Sequence, residues 1–276
     1  MHSYLSRLSA LLPATMLLVA CPSEPVEPLP VLPDDSIDLG EALGITDPRV
    51  VGVTVDPGTG QRYVLDQFEG IFELADDGSA TLLRSIAQLP VPAVLPRSLW
   101  TDFVAMGGGR FALTALSDGY LLDLAEDTMV EYFCYEPGDM PLEQQQLTHS
   151  VTFDAERGLL YAQPITFEEG SFDAPLALSS SIGGYSLEGG QPISWFDVPD
   201  ADFLAGGAAV DTDGTLILGR DNELHRFDPQ GNGELTLLGT LADVSLIEGL
   251  AVDAGRDQLL VVDGDNDRLL SLPLEF

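Results

Sequence analysis

An imidazole and a carboxylate, His149 and Glu248, are the side chains of this sequence best suited to hold a metal ion. Imidazole nitrogens and carboxylate oxygens coordinate zinc, and carboxylates also coordinate calcium. The pair supplies two protein ligands, whereas zinc sites in proteins take three or four. Two interpretations stay open: a divalent cation bound by Glu248 and His149, or a hydrogen-bonded histidine and a solvated glutamate without a metal.

Serine hydrolase chemistry finds little support in the sequence. Residues 184–188, GYSLE, begin like the nucleophile elbow of an α/β-hydrolase but lack its final glycine. Apart from His2, the only histidines are His149 and His225, so few general bases are available. The chain also lacks the alternation of strands and helices that such an elbow needs.

The N-terminal residues predict export and attachment to a membrane. The apolar run of residues 10–18 is too short to span a bilayer as a stable helix, which is typical of a signal peptide. Residues 18–21, LVAC, resemble the lipobox of bacterial lipoproteins, where small residues precede a cysteine that receives a diacylglyceryl group.

This resemblance implies that residues 1–21 are a lipoprotein signal peptide and that the lipidated Cys21 is the new N-terminus. Acyl chains then hold the protein on a membrane. Pro22 is not the aspartate associated with inner-membrane retention, which implies the outer membrane of the cell envelope. The alternative is an ordinary cleaved secretory signal in which Cys21 is incidental.

Residues 22–35 predict a spacer rather than part of a core. They contain five prolines and four acidic residues, a composition that favours extended polyproline II. The folded domain is therefore expected to span residues 36–276. Only Cys21 and Cys134 are present, so acylation of Cys21 leaves no intramolecular disulfide.

The charge balance disfavours nucleic acid as a partner. The chain has 45 acidic residues against 11 basic ones, all arginine, and a formal net charge of -34. Nucleic-acid affinity depends on neutralising phosphates with lysine and arginine. The acidity is consistent with solubility, or with attraction of divalent cations or basic partners.

An internal repeat predicts the fold. In each copy an alternating apolar strand, a polar turn and a second apolar strand follow one another, with a weaker copy at residues 99–114. The residues that end the first strand of each copy are Asp56, Met106, Asp154, Asp211 and Asp253, with spacings of 50, 48, 57 and 42. Periods of this length with several short strands predict the blades of an all-β protein, a β-propeller.

The number of blades follows from what lies between the repeats. Each unit has room for two further strands, which predicts five four-stranded blades, with residues 165–181 as an inserted surface loop. The last unit lacks a fourth strand, and residues 36–40 resemble residues 235–239, the fourth strand of the preceding unit. We therefore expect the N-terminal segment to close the ring. Six blades, with one in residues 165–200, is the alternative.

The sequences of the repeats resemble those of NHL-type and SMP-30/gluconolactonase-like propellers. The resemblance is clearest in residues 248–253 with 259–263 and in residues 63–66 with 71–74. Some members of those families are lactonases that hold a divalent cation in the central channel with a Glu, an Asn and an Asp. Only Glu248, in its Glu-Gly context, matches that set. The equivalent positions in the other units are Val51, Thr101, His149 and Gly206.

The function best supported by the sequence is a lipid-anchored envelope propeller that binds or scaffolds without catalysis. Its ligand would be a protein, a peptide or a glycan, and the fold alone does not specify which. A metal-dependent hydrolase using Glu248 and His149 in the channel is the alternative, so enzyme activity stays open. A third possibility is a structural part of an envelope assembly.

Overall fold

The computed structural model describes most of the folded domain. The described residues are 29, 36–90, 100–115, 118–134, 144–168, 177–188, 190, 192–198, 200, 203–231 and 233–275. The predicted signal peptide with Cys21, and all of the predicted spacer except Leu29, lie outside the described residues. Across these ranges, no helix has the length and apolar character needed to cross a bilayer.

Within the described residues, twenty strands form five antiparallel sheets of four strands each. Blade 1 contains β2 (Val50–Val55), β3 (Arg62–Asp66), β4 (Gly70–Leu74) and β5 (Ala80–Ser85). Blade 2 contains β6 (Trp100–Gly107), β7 (Arg110–Ala115), β8 (Asp118–Asp123) and β9 (Thr128–Cys134). Blade 3 contains β10 (Gln144–Asp154), β11 (Leu159–Glu168), β12 (Ala177–Ser186) and β13 (Pro192–Asp197).

Blade 4 contains β14 (Gly207–Val210), β15 (Leu216–Arg220), β16 (Glu223–Phe227) and β17 (Leu235–Thr240). Blade 5 contains β18 (Ile247–Asp253), β19 (Gln258–Asp263), β20 (Arg268–Pro273) and, at its outer edge, β1 (Ile37–Asp38). The predicted five-bladed propeller is therefore confirmed. The described residues between 165 and 200 belong largely to blade 3, and they form no sixth blade.

The repeated aspartates close the turn between the first two strands of a blade. The Asp56 carboxylate accepts backbone N–H bonds from Gly58 and Thr59 at 2.8 and 2.9 Å. Asp154 accepts one from Arg157 at 2.9 Å in the same way. A short carboxylate that bonds to the backbone two or three residues on stabilises such a turn, which explains why Asp recurs in the sequence repeat.

The N-terminal segment closes the ring, as the sequence predicts. Ile37 lies opposite Leu269, and Asp38 lies opposite Arg268. The strand is only two residues long because Asp38 also caps a short helix, α1 (Leu39–Leu43), through a 2.8 Å bond from the Glu41 backbone N–H. Upstream, the backbone N–H of Leu29 donates to the carbonyl of Thr240 at 2.8 Å.

The insertion in blade 3 differs from its prediction as a surface loop over residues 165–181. Residues 165–168 continue β11 and residues 177–181 belong to β12, with Ile165 opposite Ser180. The same part of β11 also pairs with the start of β10, where Leu147 lies opposite Ile165. Ile165 is buried, so the described residues of the insertion lengthen the sheet.

The hydrophobic core is divided among the interfaces between blades. Five clusters of buried apolar side chains fill the five seams, including the seam between blades 5 and 1, where Leu39 of α1 is fully buried. Between blades 1 and 2, Leu65 and Ile71 pack in one cluster with Trp100 and Phe103. Because each blade has two apolar faces, removal of one blade would expose its neighbours to water.

The inner strands approach one another closely around the channel. A Cβ atom added at Gly207 would lie 2.6 Å from the backbone carbonyl carbon of Gly249. A Cβ atom added at Gly249 would lie 2.9 Å from the Cα of Gly52. These glycines therefore let three neighbouring inner strands, β14, β18 and β2, meet backbone to backbone.

We expect Gly207→Ala to lower the free energy of unfolding by about 1–3 kcal/mol, because the added methyl group meets backbone atoms that cannot rotate away. Urea denaturation followed by circular dichroism measures the change. The matched control is Gly255→Ala, where a Cβ would have only an Asp253 oxygen at 3.6 Å nearby. Equal stability of the two variants would contradict this packing.

Candidate functional site

A β-bulge marks the mouth of the channel in four of the five inner strands. In β2, Val50 lies opposite Asp66 and Gly52 lies opposite Leu65, so Val51 has no cross-strand partner. Register shifts at the corresponding positions leave three further sites without a cross-strand partner. These are Thr101 in β6, His149 with Ser150 in β10, and Glu248 in β18. Bulges redirect side chains and are frequent beside functional sites.

The structure brings His149 and Glu248 together at this mouth. Both line a pocket of about 380 Å3 formed by blades 3, 4 and 5. The other residues that line it are Leu204, Gly206, Arg220, Asp221, Leu246 and Ile247. Thr101, from the same set of equivalent positions, lies outside this pocket and donates instead to the carbonyl of Thr148 at 2.8 Å.

His149 is half-buried and neutral. Its Nδ1 lies 2.8 Å from the carbonyl oxygen of Ala205. Because a carbonyl can only accept, Nδ1 carries a hydrogen, and in the neutral imidazole Nε2 therefore keeps its lone pair. Burial lowers the pKa of the imidazole, although the bond to Ala205 partly opposes this.

Glu248 is half-buried and has no hydrogen-bond donor or ion-pair partner among the described residues. Burial raises the pKa of its carboxyl group, Asp265 raises it further, and Arg49 acts in the opposite direction. The side chain packs against Gly264, where a Cβ would clash with the Glu248 Cγ. Glu248 therefore places a hydrogen-bond acceptor in the pocket, and no described residue donates to it.

The arginine of the pocket is already paired. Arg220 bonds to Asp200 at 2.7 Å, lies 3.9 Å from Asp221, and stands over the ring of Phe203 at 5.6 Å. Its positive charge is thus balanced by two carboxylates. One positive charge against the carboxylates of Asp200, Asp221 and Glu248 gives this group of side chains a formal charge of -2.

The described donor set does not complete a metal site. Within the described ranges, no group of three or more His, Cys, Asp or Glu side chains is placed to hold an ion. His149 and Glu248 offer two ligands, and the Asn and Asp implied by the lactonase resemblance have no counterpart at the equivalent positions Val51, Thr101 and Gly206. The metal site at Glu248 and His149 therefore stays a prediction.

The opposite mouth of the channel holds a larger pocket, of about 580 Å3, but several of its carboxylates are engaged within the fold. Asp253 pairs with Arg62 and with Arg256, both at 2.8 Å. Asp154 pairs with Arg157 at 2.6 Å. These acids hold turns and neighbouring blades, so the first mouth is the better functional candidate.

One buried carboxylate of the channel escaped sequence reasoning. Asp102 occupies the position where three other inner strands have glycine, and it accepts backbone N–H bonds from Phe103 at 2.8 Å and from Val151 at 2.9 Å. Burial raises its pKa well above the ordinary value, despite both bonds, and Glu248 raises it further. A charged residue aligned with Gly52, Gly207 and Gly249 was the signal in the sequence.

Comparisons with solved structures agree with this architecture. One chain of a nidogen–laminin complex superposes with a TM-score of 0.54 at 15% identity, covering 83% of this chain and 78% of that one. A gluconolactonase from Xanthomonas campestris superposes with a TM-score of 0.52 at 16% identity, covering 81% and 72%. No known family model and no curated protein matches the sequence.

At these identities the similarities show the fold alone. The protein is a five-bladed β-propeller, and one of the structures that share its fold is a gluconolactonase, a class named in the sequence resemblance. Shared fold does not establish shared activity, which depends on the residues of the site.

We expect the stability difference between the wild type and Asp102→Asn to change with pH. A carboxyl whose pKa is raised on folding contributes stability below its unfolded pKa, about 4, and loses it as the pH rises through the raised value. The wild type should therefore lose stability relative to the variant as the pH rises from 4 towards neutral.

The amide introduced by Asp102→Asn adds a pH-independent loss of about 1–3 kcal/mol, because its NH2 group would face a backbone N–H donor. Urea denaturation at several pH values separates this constant loss from the pH-dependent part. A stability difference that stays the same at every pH would show that Asp102 titrates normally in the folded protein.

Proposed function

We propose that this protein is a lipid-anchored β-propeller of the bacterial cell envelope that binds a ligand or partner without catalysis. The observation that carries the proposal is the pocket at one mouth of the channel, where the Glu248 carboxylate and the His149 Nε2 have bonding capacity that the described residues do not use. Pockets with a few convergent polar groups and an apolar lining are typical ligand sites.

The shape of blade 3 supports recognition at the same mouth. Its first three strands, β10 to β12, have 10 or 11 residues each, against four to eight in the other blades apart from the two-residue β1. The extra pairs join residues 144–148 of β10 to residues 164–168 of β11, just before His149 in the chain. This extension gives a protein, peptide or glycan ligand additional surface beside the pocket.

The fold is compatible with binding to other proteins. One chain of the nidogen–laminin complex, a protein complex, has a similar fold. Nucleic acid is not part of the proposal, because most described arginines are paired with acids and the formal net charge is -34.

Cys21→Ser tests the membrane anchor. We expect it to abolish incorporation of labelled palmitate and to shift the protein from the membrane fraction to the soluble fraction, because the thiol that receives the lipid is lost. Cys134→Ser is the matched control and should leave both properties unchanged. Unaltered labelling of Cys21→Ser would exclude this anchor.

Leu204→Arg tests the pocket. Leu204 lines the pocket and is 39% exposed, so a longer side chain there obstructs the opening without disturbing the core. On peptide and glycan arrays, we expect this variant to lose ligands that the wild type binds. Leu82→Arg, at a 46% exposed position of β5, is the control and should retain them. Identical binding by both variants would place recognition elsewhere.

A metal-dependent hydrolase is the second candidate, favoured by the presence of Glu248 and His149 in one pocket. It requires further ligands from outside the described groups, so we expect no stoichiometric divalent ion in the purified protein. Elemental analysis after dialysis against a weak chelator, with Glu248→Ala for comparison, decides between them. One tightly held ion that is lost in the variant would favour the hydrolase and contradict the binding proposal.

A further inference from the structure

Two groups in the pocket with free bonding capacity, the Glu248 carboxylate and the His149 imidazole, are acceptors. The Glu248 carboxylate meets no donor from the described residues, and the lone pair of His149 Nε2 is not used there either. Arg220 donates one guanidinium N–H to Asp200 at 2.7 Å, and its Nε lies 3.9 Å from Asp221, so its charge faces these two carboxylates. A ligand that satisfies such a pocket must itself donate hydrogen bonds.

The negative charge of the pocket favours ligands whose hydrogen-bond donors are positively charged. Arg220 is balanced by its two acidic neighbours, and His149 is neutral, so Glu248 leaves a negative charge without a partner at close range. A half-buried carboxylate is stabilised by a cation that also forms hydrogen bonds with it. Anionic ligands would meet repulsion from both Glu248 and Asp221.

We propose that the pocket lined by Glu248 and His149 binds an aliphatic ammonium group, as carried by a lysine side chain or a free polyamine. This inference rests on the proposed binding function of the same pocket. The ammonium donates to the Glu248 carboxylate and to His149 Nε2, since it has three donors and no acceptor. The methylene chain next to it contacts Leu204 and Leu246 at the opening.

An ammonium group fits this arrangement better than a divalent metal ion. An ammonium needs only two or three acceptors, whereas the described residues offer no group of three His, Cys, Asp or Glu ligands for a metal. The pocket volume of about 380 Å3 also accommodates a chain of several methylene groups.

Affinity should fall as the pH decreases, because protonation removes the charge of Glu248. The charged and titratable groups around this carboxyl are Asp265, Arg49, Asp221, Arg220 and the buried Asp102, and burial is the main reason for its raised pKa. The decline therefore begins at a higher pH than for an exposed glutamate. Protonation of His149 would act in the same direction, at a lower pH than for an ordinary imidazole because burial lowers its pKa.

Calorimetric titration of the full-length chain in detergent tests the inference with four probes. These are N-acetyl-lysine methylamide, its ε-acetylated analogue, spermidine and a neutral trisaccharide. We expect the lysine derivative or spermidine to bind and the acetylated analogue to bind roughly tenfold to a hundredfold more weakly, because it lacks the charge-assisted hydrogen bond. The relative affinities of the lysine derivative and spermidine indicate which source the site prefers.

Two variants locate the binding to Glu248. Glu248→Gln should weaken binding of the cation by a similar factor and remove the part of the pH dependence that comes from this carboxyl. Glu73→Gln removes one exposed carboxylate from β4 and should change nothing. Gly264→Ala, which keeps every charge but displaces the Glu248 side chain, should also weaken binding.

Four results would overturn the inference. Equal affinity for lysine and acetyl-lysine derivatives would remove the role of the charge, and equal affinity of the wild type and Glu248→Gln would remove the role of Glu248. Glu248-dependent binding of the trisaccharide alone would preserve the binding function but reject the cation. Failure of all four probes would reject the inference, while the array comparison of Leu204→Arg tests the binding function independently.

Discussion

The constraint on which this structure depends is the inner edge of each blade. The first strand of a blade pairs on one side only, so its other backbone groups face the channel and need partners. Side chains of the preceding blade provide several of them. Thr54 accepts from the Ala105 N–H at 2.9 Å, Asp102 accepts from Val151 at 2.9 Å, and Gln163 accepts from Ala205 at 2.8 Å.

The same constraint gives His149 two roles. Its Nδ1–H supplies a donor to the Ala205 carbonyl of the next blade, as Thr101 does for Thr148. Such a bond fixes the tautomer and leaves the second ring nitrogen for the pocket. Glu248 lies at the equivalent bulge but forms no such bond with the described residues. We therefore regard Glu248 as the group available to a ligand and His149 as the one that is also structural.

The sequence predicted the architecture because its signals are local and repeated. Asp56 and Asp154 close equivalent turns, and residues 36–40 carry the pattern of a fourth strand, so blade number and ring closure followed. Residues 165–168 and 177–181 of blade 3 were predicted as part of a loop, because the acidic residues after Ile165 do not suggest a strand. Their pairing becomes evident only when the partner strand is known.

The site was predicted only in part, since its chemistry depends on contacts between blades. The alignment of repeats identified Glu248 and His149, and the structure places both in one pocket. The alignment of repeats did not identify the bulges that direct these two side chains. It also did not identify the pairing of Arg220 with Asp200, which lies outside β15. Asp102 was missed because a single aspartate within a strand produces no periodic pattern that marks it as buried. Its signal appears only when this position is compared across the repeats.

The protonation state of His149 tests the account of this site most directly, and nitrogen-15 NMR of the imidazole side chains measures it. A His149→Gln variant assigns the signal, and His225, whose Nε2 lies 3.0 Å from Glu223, provides an internal comparison. The account predicts a neutral His149 with its hydrogen on Nδ1 and an unprotonated Nε2 at neutral pH. A hydrogen on Nε2, or a charged imidazolium at neutral pH, would contradict it.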